Sequence, residues 1–201
     1  MNHPDIAALT GELIAAGKFF HTRGWVPATG GNFSARLLGN RMLITASGGH
    51  KGELTAANFL VADLDGRPLD STRKASYETL LHSQIYRRAR AGVVLHTHSV
   101  ANTVLSRQHD KLNLAGYELL KVLDGVATHD TGVEIPVFEN DQDIARLSAV
   151  VDAAMATGKA QHGYLIRGHG LYAWGETVSV ARHRVEALEF MFECESRSAT
   201  R

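Results

Sequence analysis

Cysteine is nearly absent from this chain of 201 residues, where Cys194 stands alone. An intrachain disulfide is therefore excluded. A single thiol within a helical pattern reads as a core or interface residue of a protein kept in a reducing cytoplasm. Excess charge of either sign is missing too. Lys plus Arg number 21 and Asp plus Glu number 21, so nothing offers a nucleic acid or an anionic membrane an electrostatic handle. No apolar run approaches the ~18 residues of a membrane span. Met1-Asn2-His3-Pro4-Asp5 has neither the basic stretch nor the apolar core of a secretion signal. Internal repeats, low-complexity tracts and linkers are lacking as well. With 44% hydrophobic residues, one domain over 1–201 with a sizeable core is expected.

What the chain has instead is histidine, 11 in all. Two of them close an apolar run, Gly92-Val93-Val94-Leu95-His96-Thr97-His98. Side chains alternate along a strand, so His96 and His98 share a face and form half of a zinc site. Zinc takes about four ligands near ~2.0 Å from nitrogen, and a catalytic site leaves one position open. A third imidazole is offered by His169, between Gly168 and Gly170, where the backbone can bend and approach closely. A lone Gly-His-Gly is more often a solvated turn. The pair and the single histidine together point to a three-histidine catalytic site. The other histidines (His3, His21, His50, His82, His109, His129, His162 and His183) are expected on surfaces, with His50 the best exception because it lies in a glycine-rich loop.

Periodicity places these residues on elements. Residues 4–23 read as a helix begun by Pro4 and stopped by Gly24, followed by a loop and a strand over 33–38. Gly39-Asn40 turns the chain into a strand over 41–45, and a second glycine-rich loop over 46–52 leads to a strand over 59–64. A helix is expected over 75–90, then the histidine strand, helices over 100–108 and 117–123, and a strand over 133–138 that Pro136 marks as an edge or bulge. A helix capped by Asn140 or Asp141 runs to about 157 and ends at Gly158. Strands over 163–167 and 171–174 flank His169, and a last helix starts near Glu176. The order suggests an α/β sandwich around a mainly antiparallel sheet.

Two stretches look like an anion cradle, Thr29-Gly30-Gly31-Asn32-Phe33-Ser34 and Thr45-Ala46-Ser47-Gly48-Gly49-His50-Lys51. Glycines expose backbone N–H groups, Ser, Thr and Asn add donors, and Lys51 adds charge, as a phosphate monoester requires. Either stretch alone is more often a plain turn. Neither is a Walker loop or a dinucleotide fingerprint. Among the acids, Glu78, Glu118 and Glu134 each read alone as surface carboxylates.

Asn32 with its glycines, the Thr45–Gly48 loop, Ser76 with Glu78, His96-Thr97-His98 and His169 follow one another as they do in the class II aldolase/adducin family. The chain resembles that family from about residue 5 to 195. The stretches 116–121, 136–144 and 162–175 are similar to its sugar-phosphate dehydratases of methionine salvage. The resemblance implies a three-layer α/β/α sandwich, cytoplasmic tetramers with active sites near subunit interfaces, and one zinc ion per subunit on His96, His98 and His169. It implies a substrate phosphate held by Gly31, Asn32, Thr45, Ser47, Gly48, Lys51 and Ser76. Glu118 falls where the dehydratases place a catalytic acid/base, and Glu78 where the aldolases place a carboxylate that is a zinc ligand or proton carrier. Tyr77 stands where the aldolases have a second serine, which weakens one phosphate contact. The implied reaction is loss of water from a 5-methylthio-2-ketopentose 1-phosphate. The alternatives are retro-aldol cleavage releasing dihydroxyacetone phosphate and a non-catalytic assembly module like the adducin head.

Overall fold

The first strand pair follows from alternation broken by a turn. In a computed structural model, which describes residues 5–69 and 72–198, β1 (Asn32–Leu37) and β2 (Arg41–Thr45) form a hairpin across Gly39-Asn40. Six further strands follow: β3 (Phe59–Asp63), β4 (Val93–Thr97), β5 (Lys111–Ala115), β6 (Gly132–Phe138), β7 (Tyr164–Ile166) and β8 (Gly170–Gly175). They build one sheet of eight strands in the order β3-β2-β1-β4-β8-β7-β6-β5. Every neighbouring pair is antiparallel except β6 with β7.

Among the described residues, five α-helices cover the two faces: α1 (Ile6–Thr22), α2 (Thr79–Arg88), α3 (Val100–Gln108), α4 (Ile144–Ala156) and α5 (Val178–Ser198). Leu13 and Phe20 of α1, Leu105 of α3 and Val185, Leu188 and Phe192 of α5 share one core with Phe33, Leu95 and Leu171 of the sheet. Leu81, Ile85 and Tyr86 of α2 and Leu147 and Val151 of α4 share the other with Ile44, Val94 and Tyr172. The architecture is thus the expected three-layer sandwich. Each large apolar side chain so buried contributes roughly 1.5–3 kcal/mol. Among the described residues, no helix is long and apolar enough to cross a membrane.

β4 positions the chemistry. It is central, paired with β1 on one side and β8 on the other, and buried throughout. Val93 and Leu95 enter the core under α1 and α5, whereas Val94 enters the core under α2 and α4. By the same alternation His96 points toward α2, and Thr97 points toward α5, where its hydroxyl donates to Glu189 at 2.7 Å.

Several boundaries differ from expectation for local reasons. Asp5 caps α1, accepting from the Ala7 and Ala8 amides, while Pro4 lies outside the described residues. α2 starts at Thr79, not near 75, because Ala75 is drawn into a bridge with Ala46, which leaves Ser76 and Glu78 in the lead-in. The stretch 117–123 makes a 3₁₀ turn (Glu118–Val122) instead of an α-helix. β5 went unread, although Leu112 and Leu114 are buried and Lys111, Asn113 and Ala115 exposed. Because β5 takes the edge, β6 is interior. Its Pro136 sits where pairing passes from β5 to β7, a place that needs no amide donor. Asp143, not Asn140 or Asp141, caps α4 by accepting from the Arg146 amide.

Candidate metal centre and adjoining cleft

His96 faces Asn32 of β1 on one side and Tyr172 of β8 on the other. His169 lies in the tight turn between β7 and β8. The following glycine is required by space: a Cβ on Gly170 would lie 2.2 Å from the Thr97 carbonyl oxygen and 2.8 Å from the His96 ring. That contact seats the turn on the end of β4 and brings the third imidazole to the other two.

The three side chains converge. One ring nitrogen from each of His96, His98 and His169 lies within 4.8 Å of the others. The His96 Nε2 atom is 2.7 Å from His98 Nε2 and 3.4 Å from His169 Nε2. On its far side His96 donates Nδ1–H to the Leu171 carbonyl at 2.8 Å, which leaves Nε2 with its unshared pair directed at the cluster. A backbone carbonyl behind the ring is the usual support of a metal-binding imidazole. Burial, reinforced by the neighbouring imidazoles, holds His96 well below the ordinary histidine range. Burial first, then His169 and Lys51, pushes His98 down to about 3. The His96 and His98 rings are therefore neutral near pH 7, the state that binds metal.

Glu78, just before α2, completes the group. Its carboxylate oxygens lie 3.4 Å from His96 Nε2 and 3.2 Å from His169 Nε2. Three imidazoles and one carboxylate aimed at a common point are donors that suit a first-row divalent ion.

Behind Glu78 stands a polar chain buried in the sandwich. Asn32 Nδ2 donates to Glu78 Oε2 at 2.6 Å. Asn32 Oδ1 meets His82 Nε2, and His82 Nδ1 lies 2.7 Å from the Ser34 hydroxyl, itself 2.7 Å from the Tyr86 hydroxyl. His82, expected on a helix surface, is fully buried, and burial pushes it down to about 3. The overlooked signal was spacing. Glu78, His82 and Tyr86 recur every four residues, so they share one helix face.

A cleft of about 350 Å³ opens beside the cluster. Gly31, Asn32, Ser47, Gly48, Lys51 and Ser76 line it with Glu78, His98 and His169, and Tyr77, Asn140 and Gln142 join them. Lys51 is 2% exposed, and its ammonium donates to the Thr29 carbonyl at 2.8 Å and the Gly49 carbonyl at 2.6 Å, tying the two glycine-rich loops together. Burial lowers it to about 8, partly offset by the Glu78 carboxylate.

The remaining residues lie apart from this cleft. Thr45 is absent from the cleft lining; it is fully buried, and its hydroxyl accepts from the Phe33 amide at 3.2 Å. His50 caps the turn Lys51–Glu53 and packs against His21. Tyr172 and Trp174 are core residues, and Tyr117 donates to Glu195 at 2.6 Å. Glu134 pairs with Lys111 on the exposed side of β6. Glu118 is not brought to its own chain's histidines. It is 69% exposed, accepts from Lys121 at 2.5 Å and lies 3.2 Å from His129. The hydrogen bond from Lys121 holds its carboxyl below the usual range.

Known proteins resemble this chain over most of its length. The family described as Class II Aldolase and Adducin N-terminal domain matches residues 11–196. The chain is 52% identical over 187 residues to a protein of Pseudomonas syringae pv. syringae named methylthioribulose-1-phosphate dehydratase, covering 92% of each. It is 54% identical over 187 residues to one of the same name from Gluconacetobacter diazotrophicus, covering 92% of this chain and 90% of the relative. Its structure resembles the L-fuculose-1-phosphate aldolase of Thermus thermophilus, with a TM-score of 0.79 at 26% identity over 96% of this chain and 95% of the other.

Proposed function

The chain belongs to the class II aldolase and adducin family, and from that premise we propose that it dehydrates 5-methylthioribulose 1-phosphate to the 2,3-diketo-5-methylthiopentyl 1-phosphate of methionine salvage. The names of relatives about half identical over nearly the whole chain support this reading. The observation that carries it is the meeting of His96, His98, His169 and Glu78 at the wall of a cleft whose other wall is built from phosphate-type donors.

His96, His98 and His169 would hold one zinc ion per subunit, which supplies Lewis-acid polarisation of the substrate carbonyl and adjacent hydroxyl. Gly31 and Gly48 offer backbone amides, Ser47 and Ser76 hydroxyls, and Lys51 a positive charge to the phosphate, which fixes the distance from C1 to the histidines. With the phosphate so held, C2 and C3 face the histidines and the 5-methylthio end points outward. A carboxylate removes the C3 proton, the electron pair is delocalised as an enediolate, and the C4–O bond breaks as a second proton reaches the departing hydroxyl. The enol then tautomerises to the diketone, so the net loss is one water.

Two carboxylates share these proton transfers. Glu78 is already among the imidazoles, and Glu118 acts from elsewhere. Glu118 projects to solvent from its own chain, which leaves it open to a cleft in a neighbouring copy; we infer that it acts there. The working unit is then a cytoplasmic homotetramer of one-domain subunits with sites between them. Positioned acid–base groups of this kind are worth typically ~10²–10⁴ in rate.

The position of Glu78 favours one second reading, a zinc-dependent retro-aldol cleavage that breaks C3–C4 and leaves the C4–O bond intact. Products separate the two. Zinc-loaded protein given methylthioribulose 1-phosphate is expected to form the diketone and no dihydroxyacetone phosphate; triose phosphate without diketone would make it an aldolase.

A further inference from the structure

The buried chain behind Glu78 has a direction. As a carboxylate Glu78 only accepts, so Asn32 must turn its amide N–H toward Glu78 Oε2, 2.6 Å away. Its carbonyl oxygen is then left for His82, and only an Nε2–H can donate to it. A neutral ring protonated at Nε2 has an acceptor at Nδ1, to which the Ser34 hydroxyl donates across 2.7 Å. Ser34 oxygen in turn accepts from Tyr86 across 2.7 Å. Each donor therefore points toward Glu78, and both polar ends of the Asn32 side chain are used. Ser34, His82 and Tyr86 are buried to within 1% and none lines the cleft beside the histidines, so substrate held there does not touch them; Tyr86 borders only a separate cleft with Arg36 and Asp63.

We propose that His82 is a positioning residue: held in its Nε2–H tautomer by Ser34 and Tyr86, it locks Asn32 and so aims the Glu78 carboxylate at the histidine cluster. The functional part of this rests on the reading of Glu78 as a working carboxylate. The structural part, the tautomer and the orientation of Asn32, does not depend on which bond the enzyme breaks.

Two measurements test it. In protein labelled with ¹⁵N-histidine, with His82 assigned by its loss in His82→Gln, the ring is expected as a neutral Nε2–H imidazole with and without zinc. An Nδ1–H tautomer or an imidazolium would overturn the proposal even if no turnover is found. The second is a kinetic cycle. His82→Leu is expected to lower kcat by about 10–100-fold with KM changed less than about twofold and zinc content unchanged. His82→Gln, which can donate to Asn32, is expected to regain most of that loss. In a Glu78→Gln background, His82→Leu is expected to add nothing. An equal loss in both backgrounds, or a glutamine no better than leucine in folded, zinc-loaded protein, would show that His82 merely fills the core. Should His82→Leu fail to fold, the tautomer measured in the unsubstituted chain still decides.

Discussion

Glu78 and Glu118 are the same side chain in opposite surroundings. Glu78 is 8% exposed, wedged between two imidazoles and tied through Asn32 to a buried polar chain. Glu118 stands on a 3₁₀ turn in solvent, with Lys121 and His129 for company. The first has its geometry set by the fold of one chain. The second gains a defined geometry only if another chain covers it. A carboxylate free in water lacks the restricted position that acid–base catalysis needs. On the proposed function, one chain supplies the metal site and phosphate cradle by itself, whereas Glu118 would gain a fixed position only against a neighbouring copy.

The comparison can be broken most severely at Glu118. Glu118→Gln is expected to lower kcat by about 10²–10⁴-fold. Mixed oligomers of Glu118→Gln and His96→Ala chains, each inactive alone, should recover activity in about a quarter of their sites, those pairing an intact cluster with an intact partner carboxylate. No recovery in verified mixed oligomers would show that Glu118 does not act between subunits.

Lys51 gives an intermediate effect and a sign to check. Its ammonium is lowered in the folded protein from 10.5 to about 8 by burial. Between those values the unfolded chain binds more protons, so this group makes stability rise as pH climbs from about 8 to 10.5. Phosphate affinity runs the other way, because the charge that attracts the phosphate is lost above about 8. Inhibition by inorganic phosphate should weaken through that range, and Lys51→Met should flatten the dependence. A phosphate inhibition constant that is level across it would remove Lys51 from the cradle.

The smallest effect on binding is expected at Thr45. Thr45→Val leaves the Phe33 amide without its side-chain acceptor and should cost about 1–3 kcal/mol of unfolding free energy, with KM changed less than about twofold. Ser47→Ala, in the cleft lining, should raise KM at little cost in stability. A larger KM effect at Thr45 than at Ser47 would reverse their assignment.

These contrasts also mark what could be read from residues alone. His96 and His98 were legible because strand alternation is local, and the hairpin over Gly39-Asn40 and the bounds of α3 followed from turn chemistry and periodicity. β5 was missed because Leu112 and Leu114 make too short an alternation to stand out beside a helix. Thr45 was grouped with Ser47 by adjacency, yet the strand turns its hydroxyl into the sheet. By itself His82 carries no local mark that sets it apart from the other histidines. Its meaning lies in partners on β1, 48 and 50 residues away. Contacts of that span are set by how strands and helices dock, which spacing along one element does not encode.

The central claim is that His96, His98 and His169 hold one divalent ion in the cleft. Metal analysis of the purified protein after zinc loading and exhaustive dialysis tests it most directly. About one zinc per chain is expected, falling to near zero in His96→Ala protein that remains folded. A folded, unsubstituted chain that retains no metal, or an alanine variant that retains it fully, would contradict the account.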